Sequence, residues 1–255
     1  PHQVDHNFVA AFMPELYPAS IQEFVEYGLL GIEMSRYTGA WVGFKATAET
    51  LETSGTVDLS HEMQKFIIPT DFEMPEGGLN IRWPDDWREQ DHRLQRYKGF
   101  AAMAFARANN IDRIIWDSPK PKFGIITSGK SYQDTRQALY ELGIDENVAK
   151  DIGLRLYKVG MPWPLEPEGV RAFCEGLDEV LVVEEKREMI EHQLRWQLYN
   201  WKENVRPTVV GKHDENGEWQ LPPENDLDVG IIAQVIANRM AKLYKNADMQ
   251  AKLDY

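Results

Sequence analysis

From residue 122 onward, short unbroken apolar runs alternate with stretches whose apolar residues recur three and four apart. The runs Phe123–Thr127, Leu154–Val159, Val180–Glu184 and Thr208–Val210 have the length and continuity of buried strands. Between them, Tyr132, Thr135, Leu139 and Leu142 share one helical face. So do Val170, Phe173, Cys174 and Leu177 behind Pro164 and Pro167, and then Met189, Ile190, Leu194 and Leu198. A last helix over Asp226–Tyr244 carries Leu227, Ile231, Val235, Ile236, Met240 and Leu243 on its apolar side. This alternation predicts an α/β domain whose parallel sheet is covered on both faces.

The first 120 residues read differently. Ser20 and Glu23 have the spacing of a capping box ahead of Phe24, Val25, Tyr27 and Leu29. Trp41–Phe44 is a second apolar segment, and Thr56–Leu59 is a candidate strand. Residues 61–85 are rich in Pro, Gly and acids, the composition of an irregular connector. Its neighbours Phe72, Trp83 and Trp87 predict that it is packed down. Trp87–Ala108 reads as one helix, followed by a short strand over Asp112–Trp116. The expected divisions are 1–60, 61–120 and 121–255. The first of these has little sheet to cover, so Phe8, Phe12, Trp41 and Phe44 are expected to lack partners.

Phe123–Ser131, reading FGIITSGKS, matches the phosphate-loop pattern GxxxxGK[ST] letter for letter. In a true phosphate loop the apolar strand precedes the first glycine. Here Gly124 lies inside the apolar run, which leaves a turn too short to wrap a diphosphate. The stretch therefore reads as a buried strand turning tightly into a helix. Ser131 and Asp134 resemble the capping pair of that helix, and Gly143 marks its end.

Ligands and partners of a parallel sheet gather at the carboxyl ends of its strands. Three segments are expected there: Ser128, Gly129 and Lys130; Gly160–Pro164 around Trp163; and Glu184, Glu185 and Lys186. These are candidate contacts for an interface or an anion. Trp163 between two prolines suits either a contact anchor or a cap on the local core. Glu184 and Glu185 have the makings of an acid/base pair, yet carboxylates at a helix start are also what the helix dipole favours. No serine–histidine–acid order, zinc pattern or dinucleotide GxGxxG occurs, so no catalytic residue is assigned.

The 255 residues carry a formal net charge of −13 with 43% hydrophobic and 27% charged residues, the balance of a folded protein. That acidity argues against nucleic acid or an anionic membrane as partner. The single cysteine, Cys174, excludes an internal disulfide and any cysteine-ligated zinc or iron–sulfur site built by this chain alone. No run is long enough to span a membrane and no signal peptide opens the chain, so a cytoplasmic setting is expected. The chain starts at Pro1 without methionine and enters an amphipathic segment at once, as a piece of a longer polypeptide would. His2 and His6 stand i,i+4, but Gln3 occupies the place where the metalloprotease pattern needs Glu, and no metal site is expected.

SRYTGAWVGFKATAETLE, GLNIRWPD, FGIITSGKSYQDTRQAL, LRLYKVGMPWPLEPEGV and EVLVVEEKR together resemble indolepyruvate ferredoxin oxidoreductase. The likeness is to the long fused form within the thiamine-dependent 2-oxoacid:ferredoxin oxidoreductase family, and it extends over nearly the whole chain. It implies that 1–60 is the C-terminal, helical part of a pyrimidine-binding thiamine domain and 61–120 a connector with one long helix. Residues 121–255 would be an α/β domain resembling the transketolase C-terminal domain. For the intact enzyme it implies thiamine diphosphate, Mg2+ and [4Fe-4S] clusters, with ferredoxin and CoA as partners and a homodimeric assembly. In the family the activating glutamate lies earlier, and the GDG motif and cluster cysteines later. None has a counterpart here, so none of these cofactors is expected on this chain alone. The resemblance thus makes the chain scaffold and interface of an enzyme that decarboxylates an aryl-2-oxoacid, inactive alone. Two other readings stand beside it: a nucleotide-binding protein using Lys130 and Ser131, and a non-catalytic interaction module.

Overall fold

The computed structural model describes residues 3–60 and 66–244; His2 of the His2/His6 pair lies outside them. The chain forms two compact units. The amino-terminal unit comprises residues up to Asp112 together with Val159–Pro167, and the sheet unit comprises Arg113–Lys158 and residues from Glu168 onward.

In the amino-terminal unit, α1 (Asp5–Ala10) precedes β1 (Glu15–Leu16), α2 (Ile21–Thr38), β2 (Gly43–Phe44) and the short α3 (Ala48–Leu51). β1 and β2 pair in parallel, Glu15 with Gly43 and Leu16 with Phe44. Ser20 caps α2 by accepting from the Glu23 N–H, while the Glu23 carboxylate accepts from the Ala19 N–H, one residue earlier than in a full capping box. The predicted helix over 87–108 runs without a break as α4 (Trp87–Arg93), a π-helical stretch (Leu94–Lys98) and α5 (Gly99–Ala108). Tyr27, Leu30 and Met34 of α2 meet Ala102, Phe105 and Ala106 of α5, and Leu16, Ile111 and Met161 complete this core.

Three expectations for this unit change. Thr56–Leu59 is not a strand; Leu59 is exposed and the segment joins no sheet. Phe72 does pack, edge-on to Tyr37, but Trp83 is 97% exposed and Trp87 is also exposed, so the connector is only partly packed down. Of the aromatics expected to lack partners, Phe44 meets Phe24 edge-on at 5.5 Å and Phe12 meets Trp163 at 6.4 Å. Phe8 lies so close to Gly43 that a Cβ there would stand 2.9 Å from its ring. Trp41 stays exposed.

The sheet unit runs β3 (Arg113–Trp116), β4 (Phe123–Ser128), α6 (Gly129–Glu141), α7 (Glu146–Ile152), β5 (Leu154–Val159), α8 (Pro167–Cys174), β6 (Glu179–Val183), α9 (Ile190–Leu198), β7 (Thr208–Val210) and α10 (Val229–Leu243). The strand order is β3-β5-β4-β6-β7. β4, β6 and β7 are parallel, from Phe123 opposite Glu179 to Thr127 opposite Val183. β3, which lies ahead of the strands expected to be parallel, joins the sheet edge antiparallel to β5, with an irregularity between Ile114 and Trp116. Its mixed burial, one buried residue in four, suits an antiparallel edge strand. The fold is thus mixed α/β with a mostly parallel sheet.

Every residue of β4 and β6 is buried, which is why their sequences are apolar runs without alternation. Where β6 begins, Arg239 of α10 forks onto the buried Glu179 carboxylate through Nε and Nη2. Among the described residues, no helix is long and apolar enough to cross a membrane.

Candidate functional site

The carboxyl ends of β4 and β6 hold most of the residues singled out in the sequence. β4 turns into α6 at Gly129, whose φ of +49° gives the chain its sharp change of direction. Ser128 is the N-cap residue and makes no side-chain cap bond. The expected cap at Ser131 and Asp134 is therefore displaced. The buried run continues to Ser128, so the helix starts earlier. Ser131 is buried inside it, and Asp134 turns to a different task.

That task is Lys130. Its Nζ donates to Asp134 Oδ2 at 2.7 Å, to Glu185 Oε1 at 3.0 Å and to the Leu227 carbonyl at 2.9 Å. Burial pulls the ammonium toward its neutral form, but the two carboxylates outweigh it and hold its pKa above the ordinary range. Lys130 thus ties α6 to the ends of two other segments, with all three of its donors engaged. Gly124 supplies the other half of the motif and has a packing role. A Cβ there would lie 2.5 Å from Leu177 and 2.7 Å from Phe173, so glycine lets α8 approach the strand. The literal phosphate-loop match carries neither a loop nor a free lysine.

Glu184 and Glu185 do not face one another as an acid/base pair. The Glu184 carboxylate accepts from the N–H groups of Met189 and Ile190 through Oε2, and of Glu191 through Oε1, at 2.8 to 3.0 Å. It satisfies the first turn of α9, whose donors have no partners inside the helix. Burial pushes its pKa up to about 7, against the pull of those N–H groups and of Lys212. Lys186 adopts a positive φ of 59° and reaches the Asn225 carbonyl and Asp226.

Two participants escaped the sequence reading. Lys212, just past β7, is buried and donates through Nζ to the Glu184 carbonyl at 2.5 Å. Glu191, also buried, accepts from the Lys212 N–H at 2.9 Å and pairs with Arg195 at 2.8 Å. Gly211 makes room for it, since a Cβ there would lie 2.2 Å from Glu191 Oε2. A lysine directly after the apolar run Thr208–Gly211 was the available signal.

Trp163 belongs to the amino-terminal unit. It is half-buried, its carbonyl accepts from the Glu15 N–H at 2.7 Å, and its ring stands edge-on to Phe12. Among the described residues, no group of three or more His, Cys, Asp or Glu side chains is arranged to hold a metal ion. Chemically the strand-end edge is a clamp of paired charges, which fixes loops and helix starts.

Residues 112–255 match the family model described as the indolepyruvate ferredoxin oxidoreductase middle domain. The chain belongs to the indolepyruvate ferredoxin oxidoreductase family. It is 26% identical over 225 residues to the indolepyruvate oxidoreductase subunit IorA of Pyrococcus abyssi, covering 83% of this chain and 32% of that subunit. The Pyrococcus horikoshii subunit is 24% identical over 232 residues with the same coverage. This family member therefore spans about a third of the length of those relatives. A solved 2-oxoglutarate:ferredoxin oxidoreductase from Magnetococcus marinus overlays at a TM-score of 0.38 and 16% identity, over 66% of this chain and 26% of that one. A split-gene transketolase overlays at 0.36 and 10%, over 58% and 56%.

Proposed function

We propose that this chain is a structural and docking segment of a thiamine diphosphate-dependent enzyme. That enzyme oxidatively decarboxylates an aryl-2-oxoacid of the indolepyruvate type, passes electrons through iron–sulfur clusters to ferredoxin and releases an acyl-CoA. The observation that carries this reading is the family match over residues 112–255, and the names of the relatives supply the substrate class. The remaining domains of the same polypeptide and a second subunit are its partners, in the cytoplasm.

The described residues do not fit the groups such chemistry uses. Cys174 is buried, and burial pushes its thiol up to about 12, the opposite of a cluster-ligating thiolate. Lys130, the cation best placed for a diphosphate, has its three donors engaged. The residues that bind the cofactors therefore lie elsewhere in the enzyme, and this chain contributes a rigid sheet and exposed aromatic surface.

The test is ferredoxin reduction by the full-length polypeptide with indolepyruvate and CoA, beside the 255-residue chain. Turnover is expected from the first and none from the second. Turnover by the short chain alone overturns the scaffold role, and a full-length protein inert to aryl-2-oxoacids overturns the substrate class.

A further inference from the structure

Three elements of the amino-terminal unit bring ionisable side chains into one buried spot. Asp5 opens α1, Glu15 opens β1 and Lys45 follows β2. Asp5 is 3% exposed and Glu15 is 0% exposed. The Lys45 ammonium pairs with Asp5 Oδ1 at 2.7 Å and lies over the Tyr17 ring, 4.4 Å from its centre. One cation thus serves two carboxyl groups. Asp5 Oδ2 and both oxygens of Glu15 receive a hydrogen bond from no donor group, and the two carboxyl groups lie within hydrogen-bond reach of one another.

The main chain on both sides of the buried Glu15 is fixed. Its N–H donates to the Trp163 carbonyl at 2.7 Å, and on the other side β1 is stitched to β2. There the Gly43 N–H donates to the Pro14 carbonyl and the Lys45 N–H to the Leu16 carbonyl. The charges acting on the Glu15 carboxyl are Asp5 from α1 and Lys45 from beyond β2. The Trp163 segment contributes a backbone carbonyl. Two buried carboxylates side by side cannot both ionise cheaply, and a proton on one turns repulsion into a hydrogen bond.

We propose that Asp5 and Glu15 hold one proton between them, and that this shared proton latches α1 to the β1–β2 pair, so the latch loosens as pH rises. Burial, then the Asp5 charge, push the Glu15 carboxyl up to about 8 against the opposing pull of Lys45. Lys45 stays charged across this range: burial works against its ammonium, but Asp5 and Glu15 outweigh it. The sign follows from linkage. The closed latch keeps its proton up to about pH 8, whereas an open chain releases it near 4.5. The preference for the closed form is therefore full below 4.5, falls about tenfold per pH unit up to about 8, and is level above that.

A detached six-residue helix does not hold itself in water. In the 255-residue chain, hydrogen exchange at the Ala11 amide, which closes α1 on the Asn7 carbonyl at 2.9 Å, therefore reads the opening once corrected for the base catalysis of exchange itself. The opening constant is expected to grow about tenfold per pH unit between about 5 and 8, and to lose that dependence in Glu15→Gln. Matching pH profiles in the two proteins overturn the proposal. Should Glu15→Gln fail to fold, the 13C carboxyl titration of Glu15 in the unaltered chain decides. A midpoint near 8 is expected, and a midpoint typical of an exposed glutamate overturns the shared proton.

Discussion

Lys212 and Glu184 stand 28 residues apart, and the buried ammonium of the first donates to the backbone carbonyl of the second at 2.5 Å. The same glutamate holds the start of α9 with its side chain, so one lysine steadies both the loop after β6 and the helix beyond it. Lys212→Met keeps much of the volume and removes the cation that offsets Glu184 and Glu191. Leaving the buried Glu184 carbonyl without its charged donor costs about 1–3 kcal/mol. The urea midpoint should fall accordingly at constant m-value. A shift below about 1 kcal/mol would mean that solvent replaces the lysine easily.

Glu184 also sets a pH dependence in the sheet unit. Its folded carboxyl is raised by burial to about 7, above the 4.5 of an unburied glutamate. Stability from this group is therefore fully present below about 4.5 and is lost as pH rises through 7. Glu184→Gln should remove that component. Protection of the Met189–Glu191 amides, followed against pH in the two proteins, measures it, and an unchanged slope refutes it.

Gly124 and Lys130 separate packing from nucleotide binding. Gly124→Ala places a methyl against Leu177 and Phe173, and such overpacking costs about 1–3 kcal/mol. Thermal unfolding should register that loss. ATP with magnesium should leave the melting temperature of the unaltered chain unchanged. Saturable ATP binding that disappears in Lys130→Ala would restore the phosphate-loop reading.

How far the sequence revealed these features depended on whether a residue's task was local. The strands over 123–128, 154–159 and 179–183 were legible because both faces are buried, which writes an unbroken apolar run into the chain. The helix at Pro167 was legible from its prolines and the three-and-four spacing of Val170, Phe173 and Cys174. Glu184 and Glu185, by contrast, were expected at the start of the next helix, which begins at Ile190. β3 was harder to orient: four residues with mixed burial do not say which way an edge strand runs. The start of α6 was misplaced because Ser131 and Asp134 look like a cap in sequence, while Lys130 recruits Asp134 in space. The clamp of Lys212, Glu191 and Glu184 and the cluster of Asp5, Glu15 and Lys45 join residues from separate elements, and no spacing rule reports that. A lone Glu15 inside the run from Met13 to Tyr17 was the one trace of the second cluster.

The exposed aromatics of the amino-terminal unit supply the last test. Trp83 is 97% exposed, and Ile81, Trp87 and Phe100 in the same stretch of chain are exposed as well, whereas Trp163 is half-buried against Phe12. Large apolar side chains held in water are characteristic of surfaces that other domains cover. Replacing both Trp83 and Trp87 with Ala should leave the stability of the 255-residue chain within about 0.5 kcal/mol, as for other surface changes. In the full-length enzyme the same pair should weaken assembly, because truncated aromatic anchors typically cost about 2 kcal/mol or more of binding. Trp163→Ala should behave in the opposite way and destabilise the short chain itself through its lost contact with Phe12. Denaturation of the three short proteins, with sedimentation of the full-length ones, separates the cases. If the double variant destabilises the short chain and leaves assembly intact, these tryptophans are local packing and the docking role fails.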